Sequence, residues 1–180
     1  MTNVNSTNNR IFILTGFMAS GKSYIGEKVA QLLNCEFIDL DVYIESRLSK
    51  SIKDIINYNG EDYFRKIETK SLKILLKNDK DTKIIAVGGG FPLRDENQLL
   101  LRKYTVIFID IDFNTILSRL TPDEKAKRPL LANLKPDDIK KLYKKRLNIY
   151  RNTSNYIAHD INEVFKIIQS RLNTIKDDYL

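Results

Sequence analysis

Residues 11–26 read Ile-Phe-Ile-Leu-Thr-Gly-Phe-Met-Ala-Ser-Gly-Lys-Ser-Tyr-Ile-Gly, and no other stretch restricts the fold as severely. A short apolar, β-prone run leads into Gly16 to Ser23, which fits G-x-x-x-x-G-K-[ST]. An amphipathic run carrying Ile25, Val29, Leu32 and Leu33 follows at once. Strand, loop and helix in that order aim loop amides and a helix N-terminus at one point, which makes an anion site. Lys22 adds a full charge near the β/γ-phosphates, and the Ser23 hydroxyl is placed to ligate Mg²⁺. The segment predicts a nucleoside triphosphate site.

The rest of the chain alternates in a way that suits such a site. Strands are predicted over 11–15, 36–38, 83–87, 104–109 and 156–158. Helices are predicted over 23–33, 42–48, 52–56, 61–77, 96–101, 113–120, 136–151 and 161–175. Alternation of this kind implies an α/β fold, a parallel sheet with helices on both faces, whose ligands sit beyond the carboxyl ends of the strands. Residues 1–9 are polar and Asn-rich and read as a disordered lead-in. No linker or internal repeat divides residues 10–180, which are expected to form a single domain. Periodicity lapses over 121–135, which contains Pro122 and Pro129 and ends just before Pro136; this stretch reads as a mobile lid packing poorly against the core.

Charge and cysteine content narrow the function classes. Thirty Lys and Arg against 23 Asp and Glu give a net charge of +7, which favours acidic ligands. Lys135, Lys140, Lys141, Lys144 and Lys145 fall on one predicted helix without alternating aromatics, so a solvated face is expected and no nucleic-acid site. The sequence has no apolar run of membrane-spanning length and no apolar leader core, so a cytoplasmic protein without a membrane partner is expected. The single cysteine, Cys35, suits a reducing compartment and reads as a buried structural thiol. A monomer is expected.

Further chemistry falls at the predicted strand ends. Asp39 and Asp41 follow the second strand, and a period of two would put both carboxylates on one side. One could hold a Mg²⁺ water and the other a substrate hydroxyl; the alternative for Asp41 is a helix N-cap. Arg65 sits about one turn into the helix opened by Gly60-Glu61, and its fork suits bidentate capture of a carboxylate. Gly88-Gly89-Gly90 follows the third strand, where three glycines are unfavourable unless a backbone must approach something closely.

Taken in order, Gly16–Ser23, the D-x-D pair, G-E-x-x-F-R (Gly60 to Arg65), the triple glycine and Arg128-Pro129-Leu130-Leu131 resemble the motif set of the shikimate kinases, from about Arg10 to Tyr156. The resemblance implies a three-layer P-loop kinase fold, nucleoside monophosphate kinase-like, with a five-stranded parallel sheet. It implies ATP and shikimate as substrates and Mg²⁺ as cofactor. The nucleotide set would be Gly16, Ala19, Ser20, Gly21, Lys22, Ser23, Tyr24, Arg119 and Arg128, with Arg119 stacking on adenine. The metal would be held by Ser23 and, through water, by Asp39. Asp41, Arg65, Gly88, Gly89, Gly90 and Arg146 would bind shikimate, and Lys22, Asp41 and Arg128 would be catalytic. Three positions depart from the family pattern. Ala19 replaces a usual glycine, Ile56 a usual phenylalanine of the pocket wall, and residues 157–162 are shorter than the usual loop bordering the adenine. His159, in that short loop, reads as a surface or capping residue. The competing readings are a gluconate-type or nucleoside monophosphate kinase, and a nucleotide-binding protein without turnover.

Overall fold

The computed structural model describes residues 8–77, 81–126, 131 and 134–177. Five parallel strands form one sheet in the order β2-β3-β1-β4-β5. They are β1 (Asn8–Thr15), β2 (Glu36–Asp39), β3 (Lys83–Ala86), β4 (Tyr104–Ile109) and β5 (Tyr156–Ala158). β1 starts earlier than its polarity suggests: Asn8 pairs with Tyr104 across a register irregularity, so Asn8 and Asn9 belong to the sheet and not to a lead-in. Residues 1–7 lie outside the described residues.

The central strand explains why the fold has three layers. Ile11, Phe12, Ile13 and Leu14 are all fully buried, with no polar residue between them. Alternation sends Ile11 and Ile13 into one core and Phe12 and Leu14 into another. The first core lies under α2 (Leu40–Leu48), α3 (Ile52–Asn59), α4 (Glu61–Leu75) and α5 (Asp95–Leu101). The second lies under α1 (Lys22–Leu33) and α9 (Ile161–Asp177). Each such side chain contributes on the order of 1.5–3 kcal/mol by leaving water. A third cluster joins Phe17 and Phe108 to α6 (Phe113–Arg119) and α8 (Pro136–Thr153).

Sheet order fixes where ligands can go. The chain leaves β1 toward β2, returns to β3 beside β1, and then crosses to β4 on the other side. The crevice between the carboxyl ends of β1 and β3 is therefore the topological switch point. Gly16–Ser23 follows β1 there, and Gly88–Gly90 follows β3.

Residues 121–135 are not loop throughout. Pro122–Ala126 forms a short helix, α7, and Leu131 is fully buried in the third cluster, so the segment is pinned to the core at one point. Arg128 and Pro129, with the rest of residues 127–130, lie outside the described residues. On α8, Lys140, Lys141, Lys144 and Lys145 are exposed while Ile139, Arg146 and Tyr150 are buried, as a solvated basic face requires. Cys35 is only partly buried at the margin of the second core, where burial raises its thiol pKa.

Candidate active site

The loop after β1 wraps its own lysine. Lys22 Nζ donates to the carbonyls of Gly16 (3.1 Å) and Phe17 (3.0 Å), which holds the ammonium at the loop's centre. Ala19 adopts φ 62°, a left-handed conformation that costs an alanine on the order of 1–2 kcal/mol. Arg119 reaches across from α6, its Nη1 donating to the carbonyls of Ala19 (3.3 Å) and Ser20 (3.1 Å). Arg119, Gly21 and Tyr24 border a cavity of about 580 Å³ that His159 and the start of α9 also line. His159 is exposed, as expected, but does not cap α9 with its side chain; Asp160 Oδ1 accepts from Glu163 N (2.9 Å) instead.

The two aspartates converge by a different route from strand alternation. β2 ends at Asp39 and α2 begins at Leu40, so Asp41 stands in the first helical turn. Asp39, not Asp41, is the N-cap: its Oδ1 accepts from Asp41 N (3.0 Å) and Val42 N (3.4 Å). Its Oδ2 accepts a short hydrogen bond from the Ser23 hydroxyl. Hydroxyl and carboxylate oxygens side by side at the phosphate loop are the hard donor type that suits Mg²⁺. Asp41 Oδ1 is shut off from water and has no partner among the described residues. Burial, then the neighbouring Asp39, push its pKa up to about 6 against the pull of Lys22 and Arg65.

A second cavity of about 420 Å³ opens beside the first loop, with Asp41, Arg65, the three glycines and Arg146 on its walls. Arg65 is placed by Gly60, whose φ 85° and ψ 160° join α3 to α4 in a conformation that suits glycine alone. Its guanidinium donates to Glu61 Oε1 (2.8 Å) and to Glu68 Oε2 (2.8 Å). Glu68 is fully buried, and burial raises its pKa against the pull of Arg65. Arg146, buried on α8, has no partner for Nη1 among the described residues, and lies 6.0 Å from the Phe17 ring centroid. Its guanidinium also bonds the Tyr150 side chain, and a buried guanidinium with one nitrogen left over on a cavity wall is a seat for an anion.

The triple glycine is a matter of space. A Cβ on Gly88 would lie 2.5 Å from Glu68 Oε1, and one on Gly90 2.5 Å from Arg65 Nη2. Gly89 packs against Gly16 and Met18 of the first loop, and its carbonyl accepts from Tyr150 OH (2.6 Å). The turn is thus held between the first loop, α4 and α8, which excludes a merely flexible connection.

Met18, Glu45, Glu68 and Tyr150 were not singled out from sequence, yet the first three line the cavity and the fourth holds its floor. Glu68 left a signal: it interrupts the Phe64, Glu68, Leu72 stripe of α4, where a carboxylate needs a buried partner. Ile56 does line the cavity wall.

A parallel sheet with a phosphate loop at its switch point, and an acid–cation cavity alongside, defines an α/β protein of the nucleotide-dependent phosphotransferase class. A family model described as "Shikimate kinase" matches residues 18–176. The chain is 40% identical over 161 residues to the shikimate kinase of Dictyoglomus turgidum, covering 86% of this chain and 92% of that one. It is 36% identical over 164 residues to that of a Sulfurihydrogenibium species, covering 91% and 96%. Among solved structures it resembles a shikimate kinase from Acinetobacter baumannii in complex with shikimate (TM-score 0.79, 28% identity, 95% of each chain). It also resembles the Aquifex aeolicus shikimate kinase (TM-score 0.74, 34% identity, 91% and 96%). The chain belongs to the shikimate kinase family.

Proposed function

We propose that this protein transfers the γ-phosphoryl group of ATP to the 3-hydroxyl of shikimate, giving shikimate 3-phosphate and ADP, a step of chorismate and aromatic amino-acid biosynthesis. The observation that carries the reading is one cavity with an unpartnered Asp41 carboxylate at the phosphate loop and Arg65 and Arg146 on its walls. That arrangement matches a ligand with hydroxyls at one end and a carboxylate at the other.

In this reading the loop amides of Gly16, Ala19, Ser20 and Gly21, with Lys22, hold the β/γ-phosphates. Lys22 exchanges its two loop carbonyls for phosphate oxygens. Tyr24 and Arg119 border the base. Ser23 and Asp39 are the residues that would hold Mg²⁺, which neutralises phosphate charge when bound. Arg65 and Arg146 clamp the carboxylate, while Gly88, Gly89 and Gly90 let the ring approach the backbone. Asp41 orients the 3-hydroxyl and takes its proton as the oxygen attacks phosphorus and the bond to the ADP oxygen breaks. A carboxyl pushed up to about 6 is still mostly ionised at neutral pH and more basic than an ordinary aspartate. Arg128, on the segment over 121–135, supplies a further cation to the moving phosphoryl group when that segment closes. The reading carries with it one domain from β1 to α9, acting as a monomer in the cytoplasm without nucleic acid or membrane. Among the described residues no helix is long and apolar enough to cross a membrane.

An assay of ADP release with shikimate, gluconate and nucleoside monophosphates as acceptors tests the proposal. Turnover that requires shikimate supports it. Comparable release without acceptor, or a preference for gluconate or a nucleotide, overturns it.

A further inference from the structure

The base-side cavity contains a histidine whose tautomer the backbone dictates. His159 Nδ1 lies 2.7 Å from the carbonyl oxygen of Asp110. A carbonyl only accepts, so Nδ1 carries the proton and the neutral ring presents an acceptor at Nε2. Nothing about this is loose. Asp110 N donates to Ala158 O (3.0 Å), continuing the β4–β5 ladder, and His159 N donates to Glu163 Oε2 (2.8 Å). The imidazole is therefore anchored at both its ring and its backbone, with Nε2 free of any partner among the described residues.

His159 lines the same cavity as Arg119, Gly21 and Tyr24. A triphosphate on the loop would leave its base there. Adenine offers a donor at its 6-amino group, whereas 6-oxopurines offer an acceptor at the same position. We propose that His159 reads the nucleobase, its Nε2 accepting from the 6-amino group and so selecting adenine over 6-oxopurine nucleotides. The inference rests on the nucleotide reading above but not on the identity of the phosphoryl acceptor. The selection is by complementarity: Nε2 facing a 6-oxo group would set two acceptors against each other, leaving both unpaired.

Calorimetric titration with ADP, inosine diphosphate and the diphosphate of purine riboside, which lacks any 6-substituent, tests this without turnover. The wild-type protein should bind ADP about two- to tenfold more tightly than the purine riboside diphosphate, the range of one hydrogen bond, and inosine diphosphate most weakly. His159→Ala should weaken ADP to the level of purine riboside diphosphate and leave the latter unchanged. Equal weakening of both by the substitution assigns His159 to ribose or stacking and overturns the proposal. So does wild-type binding of inosine diphosphate as tight as ADP, a result that does not depend on how the variant folds. Should the selectivity appear while shikimate is not phosphorylated, the base-reading role stands and the shikimate assignment falls.

Discussion

Replacing Asp41 by Asn should make the protein more stable and inactive at once. The carboxyl sits at about 6 instead of 3.8, chiefly because burial penalises its charge and Asp39 adds to the penalty. A folded-state pKa above the unfolded one means that stability is full below about 3.8 and is lost as pH rises through about 6. Ionising Asp41 thus costs the folded protein about 3 kcal/mol once the pH is well above 6. Asn is nearly isosteric and carries no charge, so Asp41→Asn should recover most of this at pH 8 and only about half of it at pH 5. For a chain of this size that gain corresponds to a rise in Tm of roughly 6–12 °C at pH 8. Scanning calorimetry of both proteins at the two pH values, beside ADP-release rates, provides the assay. An unchanged Tm at pH 8, or a gain at pH 5 as large as at pH 8, would refute the desolvation argument. Full activity in the variant would refute the role of the carboxylate.

Four further outcomes follow from the site's geometry. Arg146→Ala should weaken shikimate binding by on the order of 1.5–3 kcal/mol and leave ADP binding within about twofold, read by calorimetric titration. Arg65→Ala should weaken shikimate binding too, but it strands the buried Glu68 and should also cost stability, on the order of 3–5 kcal/mol in urea denaturation. Gly90→Ala would put a methyl 2.5 Å from Arg65 Nη2, so the KM for shikimate should rise while that for ATP stays near wild type. Ala19→Gly relieves a left-handed φ and should add roughly 0.5–1 kcal/mol to the unfolding free energy, seen as a higher urea midpoint; an unchanged or lower midpoint would mean that the strain is not felt.

What the sequence made legible was whatever rests on local pattern. β1 and the loop after it were readable because apolar run, glycines, Lys22 and helix follow one another without interruption. The triple glycine announced close packing, although what it packs against, Glu68 and Arg65 from α4, needed the tertiary structure. Period-two reasoning failed at Asp39 and Asp41 because the strand stops between them and the helix turn brings the second carboxylate round. Residues 122–126 were read as loop because five residues are too few for a helical period to register. His159 looked inert because its meaning depends on the Asp110 carbonyl, 49 positions away along the chain. Glu68 was passed over for a similar reason, since a buried carboxylate is recognised by its partner more than by its neighbours in sequence.

A shikimate 3-kinase forms a phosphate ester on one particular hydroxyl of shikimate. Incubating the protein with ATP, Mg²⁺ and shikimate and recording ³¹P and ¹H NMR spectra of the product tests it most directly. The expected result is a new phosphomonoester resonance coupled to the ring proton at carbon 3, with ADP formed in equal amount. Inorganic phosphate in place of the ester, or coupling to a different ring position, would contradict it.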